Sequence, residues 1–266
     1  MNCQTRIKRK NIFKRYKIMD SALTFNTKRS FTAKQVFGEF VDYLRKPLYI
    51  AEDASMSKTE KFQYLYKVLL CKLALLPILV PIIYFSKEFT EAKFIEYKDT
   101  WMMYFAVVAL APIIEESLFR GVLRYSRWSI SIAISLLIGF LIELTGANDL
   151  IDLHIGFIYL ACFILIPIIF TFTEQFDGFL RVFWAKYFVF IFHFIAISFG
   201  LIHLTNYTNI NNYFFALPLV TSQIILGYVL GFVRMKFGLG YSMAFHAAWN
   251  FIAGFGLLIV LVDKLF

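Results

Sequence analysis

The chain has 266 residues, 59% hydrophobic and only 17% charged, with a mean hydropathy of +0.66 and 32 phenylalanines. Ordinary soluble domains carry about 25% charged residues, so this composition excludes a soluble globular domain and points to a polytopic membrane protein. The formal charge of +9 is uneven: residues 1–66 hold 14 Lys and Arg against 6 Asp and Glu, and the other 200 hold 13 against 12.

The basic segment reads as a cytoplasmic tail under the positive-inside rule, lying on anionic lipid rather than on nucleic acid. Cys3, Cys71 and Cys162 have no paired spacing, so no disulfide framework is expected. Met1 to Arg15 lacks the apolar core of a signal peptide, which leaves the first hydrophobic span as the insertion signal.

In chain order, Phe31–Leu48 carries Val36, Phe37, Phe40, Val41 and Leu44 at loose helical spacing ahead of Pro47. That pattern suits an interfacial amphipathic helix or a short soluble one. Ala51–Glu60 is a polar linker in which Ser57 and Glu60 have the spacing of a capping box. Seven apolar runs follow. They lie near Tyr66–Phe85 (with Pro77 and Pro81 inside), Trp101–Leu123, Trp128–Leu144, Leu153–Phe172, Phe179–Leu204, Tyr213–Val233 and Ser242–Val262. Each has roughly the ~20 residues needed to cross ~30 Å of hydrocarbon.

The expected fold is all-α: a polytopic transmembrane helix bundle of about seven spans. Residues 1–66 form its N-terminal cytoplasmic segment and residues 67–266 its membrane domain. With the tail inside, the inner connections Arg120–Arg127, Thr173–Lys186 and Arg234–Lys236 are all basic. The outer connections Thr145–Asp152 and Thr205–Asn212 hold no Lys or Arg, whereas Lys87–Asp99 holds three lysines and obeys the rule less well.

Against this background the run Pro112-Ile113-Ile114-Glu115-Glu116-Ser117-Leu118-Phe119-Arg120-Gly121 stands out, because ionisable groups inside a span are costly and mark function. Glu116 and Arg120 are four apart with the acid first, the better orientation for a pair. Glu115 is rotated by ~100° and shares a face with Phe119. The spacing assigns Glu116 to Arg120 and leaves Glu115 free for a substrate or a water; one structural charge cluster at the membrane edge fits it as well.

Phe199 and His203 share a face where the fifth run closes, a place that suits a hydrogen-bonded histidine as readily as a reactive one. His246 and Asn250 share a face of the last run, among Ala247, Ala248, Ala253 and Gly254, which permit close helix approach. Interhelical hydrogen bonds alone would satisfy both. His154 and His193 have no companion at helix spacing and read as structural. Taken together, these groups interrupt three apolar helices, and polar groups in spans turn to the bundle interior, where three such faces can meet.

The series Glu115-Glu116-x-x-x-Arg120, Phe199-x-x-x-His203 and His246-x-x-x-Asn250, with Pro112 before the acids and Phe119-Arg120-Gly121 closing them, resembles the motifs of the CPBP family. These are the type II CAAX prenyl endopeptidases and their bacteriocin-processing relatives, often called ABI proteins. The resemblance covers about residues 100 to 255. It implies an intramembrane endopeptidase that meets a membrane-associated or lipidated peptide or protein in the lipid bilayer and has no nucleic-acid partner. Glu115 would be the general base, His203 would orient the water, and His246 and Asn250 would donate to the oxyanion. Glu116, Arg120 and Phe199 would support them.

No cofactor is expected on ligand chemistry, because Asn250 is a poor zinc ligand and His-Glu-x-x-His is absent; the alternative is a zinc site of Glu115, His203 and His246. In a bacterium the protein would be a multi-pass protein of the plasma membrane. The chain departs from the family in having two spans, not one, between the acidic and the Phe-x-x-x-His motifs.

Two other functions fit the same polar cluster: a non-catalytic immunity or scaffold protein that binds a peptide or partner, and an ion- or proton-coupled transporter. The catalytic reading also carries a geometric demand. On straight helices His203 falls near the outer end of its span and His246 near the inner end of its own. The ~17 residues from Lys186 to His203 cover about 25 Å. Glu115, His203 and His246 therefore meet only if the fifth segment is tilted, broken or starts late.

Overall fold

The structure, a computed structural model, describes residues 30–49, 52–91, 93–94, 101–144, 165 and 174–255. The compact unit to which the elements below belong is Phe31–Phe266.

Thr32 caps the first helix, α1 (Ala33–Arg45), and forms a reciprocal capping box with Gln35. Pro47 ends it, since the proline ring disfavours helical backbone in the residue before it. The helix that the sequence leaves between lipid surface and solvent is packed on the bundle. Val36 is buried, Phe40 meets Phe232 at 5.5 Å, and Tyr43 meets Phe192 at 5.3 Å.

The capping box of Ser57 and Glu60 is present and opens α2 (Lys58–Leu73). The apolar run at 66–85 is not one continuous helix. It breaks after Leu73, and α3 (Leu76–Thr90) continues it with a 45° bend. Pro77 is the reason: it has no N–H to give to the preceding turn, but it is tolerated in the first turn of a new helix.

The motif segment forms α4 (Trp101–Leu123), a composite helix. It widens to π geometry at Ala106–Leu110 and again at Glu116–Arg120, then closes in a 3-10 turn. Helix α5 (Arg127–Leu144) follows. The expected fourth span, Leu153–Phe172, lies outside the described residues except for Leu165.

The long fifth run is two helices, α6 (Glu174–Lys186) and α7 (Phe188–Ile202), and a 3-10 turn, His203–Asn206, extends the second. Of the tilt, break or late start that the site geometry asked of this segment, a break is seen at Tyr187. After the short α8 (Tyr213–Ala216) come α9 (Thr221–Phe237) and α10 (Leu239–Ala253).

Among the described residues three helices are long and apolar enough to cross a membrane, Trp101–Leu123, Phe188–Asn206 and Leu217–Phe237, or four with the bent pair counted as one span. Among the described residues, strand structure is confined to an antiparallel two-residue pairing of β1 (Lys93–Phe94) with β2 (Tyr207–Thr208).

The connections sort to two ends of the bundle. The β1–β2 pairing joins two loops that the alternation of spans assigns to the same side. At the other end Arg124 donates to the Met235 carbonyl at 2.8 Å, and Trp184 Nε1 donates to the Val122 carbonyl at 2.7 Å. These bonds set the end of α4 beside the last turns of α6 and α9. The distribution of polarity is that of a protein in lipid. Met102, Phe105, Ile113, Phe190 and Phe194 are exposed, whereas Glu116, Arg120, Ser242 and His246 are buried.

Two glycines let α7 and α9 cross in close contact. A Cβ on Gly227 would stand 2.5 Å from the Ala196 carbonyl oxygen, and one on Gly200 would stand 2.8 Å from the Ile224 Cα. Small residues at such crossings allow backbones to touch. This contact brings the end of α7, with Phe199 and His203, against the centre of the bundle.

Candidate active site

Glu116 is the most thoroughly held group. Its side chain is fully buried, and Oε1 lies 3.2 Å from Arg120 Nη1 and 3.1 Å from His246 Nδ1. The Ser242 hydroxyl reaches its other oxygen, Oε2. Ser242 is a participant the sequence reading missed. The signal that finds it is the same four-residue spacing, since Ser242, His246 and Asn250 form one stripe on α10.

Arg120 is fully buried as well. Its guanidinium carbon sits 3.8 Å over the Phe199 ring, and Nη2 donates to the Gly227 carbonyl at 3.4 Å. The π turn at Glu116–Arg120 gives the Gly121 N–H to the Glu116 carbonyl, five residues back. Such turns change helical phase and recur at functional sites.

Glu115 is treated differently. Its side chain keeps 30% of its exposure, Oε2 has no hydrogen-bond partner among the described residues, and His246 Nε2 stands 3.7 Å from it. His246 is thus set between the two acids. A carboxylate can only accept, so Nδ1 carries a hydrogen toward Glu116, and Nε2 faces Glu115.

His203 follows the same logic. Nδ1 lies 2.8 Å from the Phe199 carbonyl, which fixes the hydrogen there and leaves Nε2 with its lone pair in the neutral ring. Its electrostatic neighbours include Glu115, His246 and Arg120. Both histidine rings flank Phe199, His203 at 5.0 Å and His246 at 5.7 Å between ring centres. The acids, both histidines and Arg120 therefore come together around one phenylalanine.

Asn250, one turn further along α10, also reaches α4: its Nδ2 donates one hydrogen to the Val107 carbonyl at 2.9 Å. His193 bonds Tyr228 at 3.2 Å across α7 and α9, in keeping with a structural role, and His154 lies outside the described residues. Among the described residues no three His, Cys, Asp or Glu side chains converge as a metal-ligand set.

A family model described as Type II CAAX prenyl endopeptidase Rce1-like matches residues 97–252. The chain belongs to the Rce1-like family. That match takes in every site residue described above, from Val107 to Asn250, and leaves α1 to α3 outside it. Membership makes the protein an integral membrane protein of a peptidase family of the CAAX type, with the lipid bilayer as its medium and a peptide or protein as its substrate. No curated protein and no solved structure matches the chain.

Proposed function

We propose that this Rce1-like protein is an intramembrane endopeptidase that hydrolyses a peptide bond in a membrane-associated or lipidated peptide or protein, using water activated by Glu115. The observation that carries the reading is the unequal treatment of adjacent acids. Glu116 is saturated by Arg120, His246 and Ser242, whereas Glu115 holds an unpartnered Oε2 beside His246 Nε2.

In this mechanism Glu115 takes a proton from water while the His203 Nε2 lone pair accepts the water's other hydrogen and orients it. The water oxygen attacks the scissile carbonyl. His246, protonated at Nε2, and the second amide hydrogen of Asn250 donate to the oxyanion. Glu115 then returns its proton to the leaving amine. A well-placed general base contributes about 10²–10⁴-fold, and an oxyanion donor ~2.7–4 kcal/mol in a site without water. No step is routed through a metal. The basic end of the bundle, with Arg124, Arg234 and Lys236, faces the cytoplasm in this reading.

The test is cleavage of farnesylated peptides and of unmodified membrane peptides by the purified protein in liposomes, beside Glu115→Gln. The substitution keeps size and removes basicity, so turnover should fall by at least ~10²-fold with folding intact. Equal turnover by the two proteins would sink the assignment. In cells, the uncleaved peptide that accumulates with Glu115→Gln identifies the substrate.

A further inference from the structure

We propose that Asn250 has a second, positioning role: its amide caps a carbonyl that Pro112 leaves without a donor, and this latch between α10 and α4 sets the placement of Glu115. The backbone hydrogen bonds of the first π turn leave one carbonyl over. There the Ala111 N–H bonds the Ala106 carbonyl, five residues back. In α register the Val107 carbonyl would take the N–H of Ala111, which is already given to Ala106. In the wider register it would take the N–H of residue 112, which is a proline and has none. Val107 is thus left with an acceptor that its own helix cannot serve.

In hydrocarbon no water makes up the loss, so the donor must come from protein. Asn250 Nδ2 supplies it at 2.9 Å. The consequence reaches the site because Asn250 lies four residues after His246 on α10. One helix face therefore holds α4 at two heights, at Val107 through Asn250 and at Glu116 through His246. Two points of attachment fix the rotation of α4 about its own axis, and with it the 3.7 Å approach of Glu115 to His246. The latch also orients Asn250 itself. Nδ2 carries two hydrogens, and holding one on Val107 directs the other.

The effect on turnover rests on Glu115 being the base, but the latch does not. The experiment is a double-substitution cycle on the full chain in detergent and in liposomes, with Asn250→Leu, Pro112→Ala and both together. Pro112→Ala gives residue 112 an N–H that can serve Val107 from within α4. Asn250→Leu alone should lower Tm by roughly 5 °C, and by less than half as much when Pro112→Ala is present. If Asn250→Leu does not accumulate, Asn250→Ser takes its place.

Pro112→Ala, which lets α4 serve Val107 itself and so frees Asn250 from it, should lower kcat about ten-fold or more with KM nearly unchanged, because small misplacements of a base are costly. Equal losses of Tm in the two backgrounds, or an unchanged kcat in Pro112→Ala, would overturn the proposal. Coupled losses of Tm without cleavage by any of the four proteins would uphold the latch and count against the peptidase. Full cleavage without coupling would do the reverse.

Discussion

Arg120 lies over Phe199, its guanidinium carbon 3.8 Å from the ring centre, and both side chains are fully buried. The negative face of the ring meets a delocalised cation that water does not reach, which is where such contacts are strongest. Because His203 and His246 pack on the same ring, Phe199 sets the spacing of three ionisable groups at once.

Phe199→Leu keeps most of the volume and removes the π face. It should lower Tm modestly and turnover strongly. Phe199→Ala should cost about 3–5 kcal/mol of stability. Thermal unfolding in detergent and peptide cleavage in liposomes measure the two effects separately. Equal losses of turnover and of folded protein in Phe199→Leu would reduce the ring to a filler of space.

The Glu116–Arg120 pair should respond asymmetrically to substitution. Removing either charge alone leaves its partner buried and uncompensated, at about 3–5 kcal/mol. The double change Glu116→Gln with Arg120→Met should be less damaging than the sum of the single ones, because neither charge then remains. A denaturation cycle over the four proteins checks this; additive losses would mean that the two groups do not act as a pair.

Gly227→Ala should act at a distance. The new Cβ would press on the Ala196 carbonyl at 2.5 Å, a backbone atom that cannot turn away, so α7 and α9 must separate. The carbonyl of Gly227 also receives Arg120. The expected cost is about 1–3 kcal/mol, with a fall in turnover although residue 227 touches no reacting group. Wild-type stability and turnover would show that the helix crossing tolerates the methyl group.

Outside the spans, acid stability should depend on Asp177. Burial raises its carboxyl, but hydrogen bonds from Arg181 and Tyr125 and the charges of Arg181 and Arg127 outweigh this and hold it below the usual range. A depressed carboxylate contributes stability in full above its unfolded value, near ~3.9, and loses it as pH falls through the folded value. Tyr125 is pushed up to about 12, by burial first and then by Asp177. Its contribution is therefore full below the ordinary phenol value of ~10 and lost as pH rises through about 12. Tm measured against pH should lose its acid-side slope in Asp177→Asn and keep it in the parent.

Chelation separates glutamate-activated from metal-bound water. With Glu115 as the base, exhaustive dialysis against a strong zinc chelator should leave cleavage within about two-fold of the untreated rate, and added zinc should not raise it. Loss of activity on dialysis with recovery on zinc would replace the mechanism proposed for Glu115 by a metal-dependent one.

The amino-acid sequence is enough to place the chain in a membrane and to show its site residues in pairs at helix spacing: Glu116 with Arg120, Phe199 with His203, His246 with Asn250. Those are local facts, because composition and a 3.6-residue period need no knowledge of neighbouring helices. The same period placed Glu115 apart from Glu116, and the depth of the site groups required the fifth segment to be tilted, broken or late in starting.

What each group touches follows from how the helices pack. His246 reaches both acids because α10 crosses α4 at that height. Ser242 joins Glu116 for the same reason, and Asn250 turns to Val107 because Pro112 emptied one place in the backbone ladder of α4. Each of these depends on a donor from one helix meeting an acceptor from another, or on a π turn that resets the phase. A periodic reading of one segment at a time contains neither.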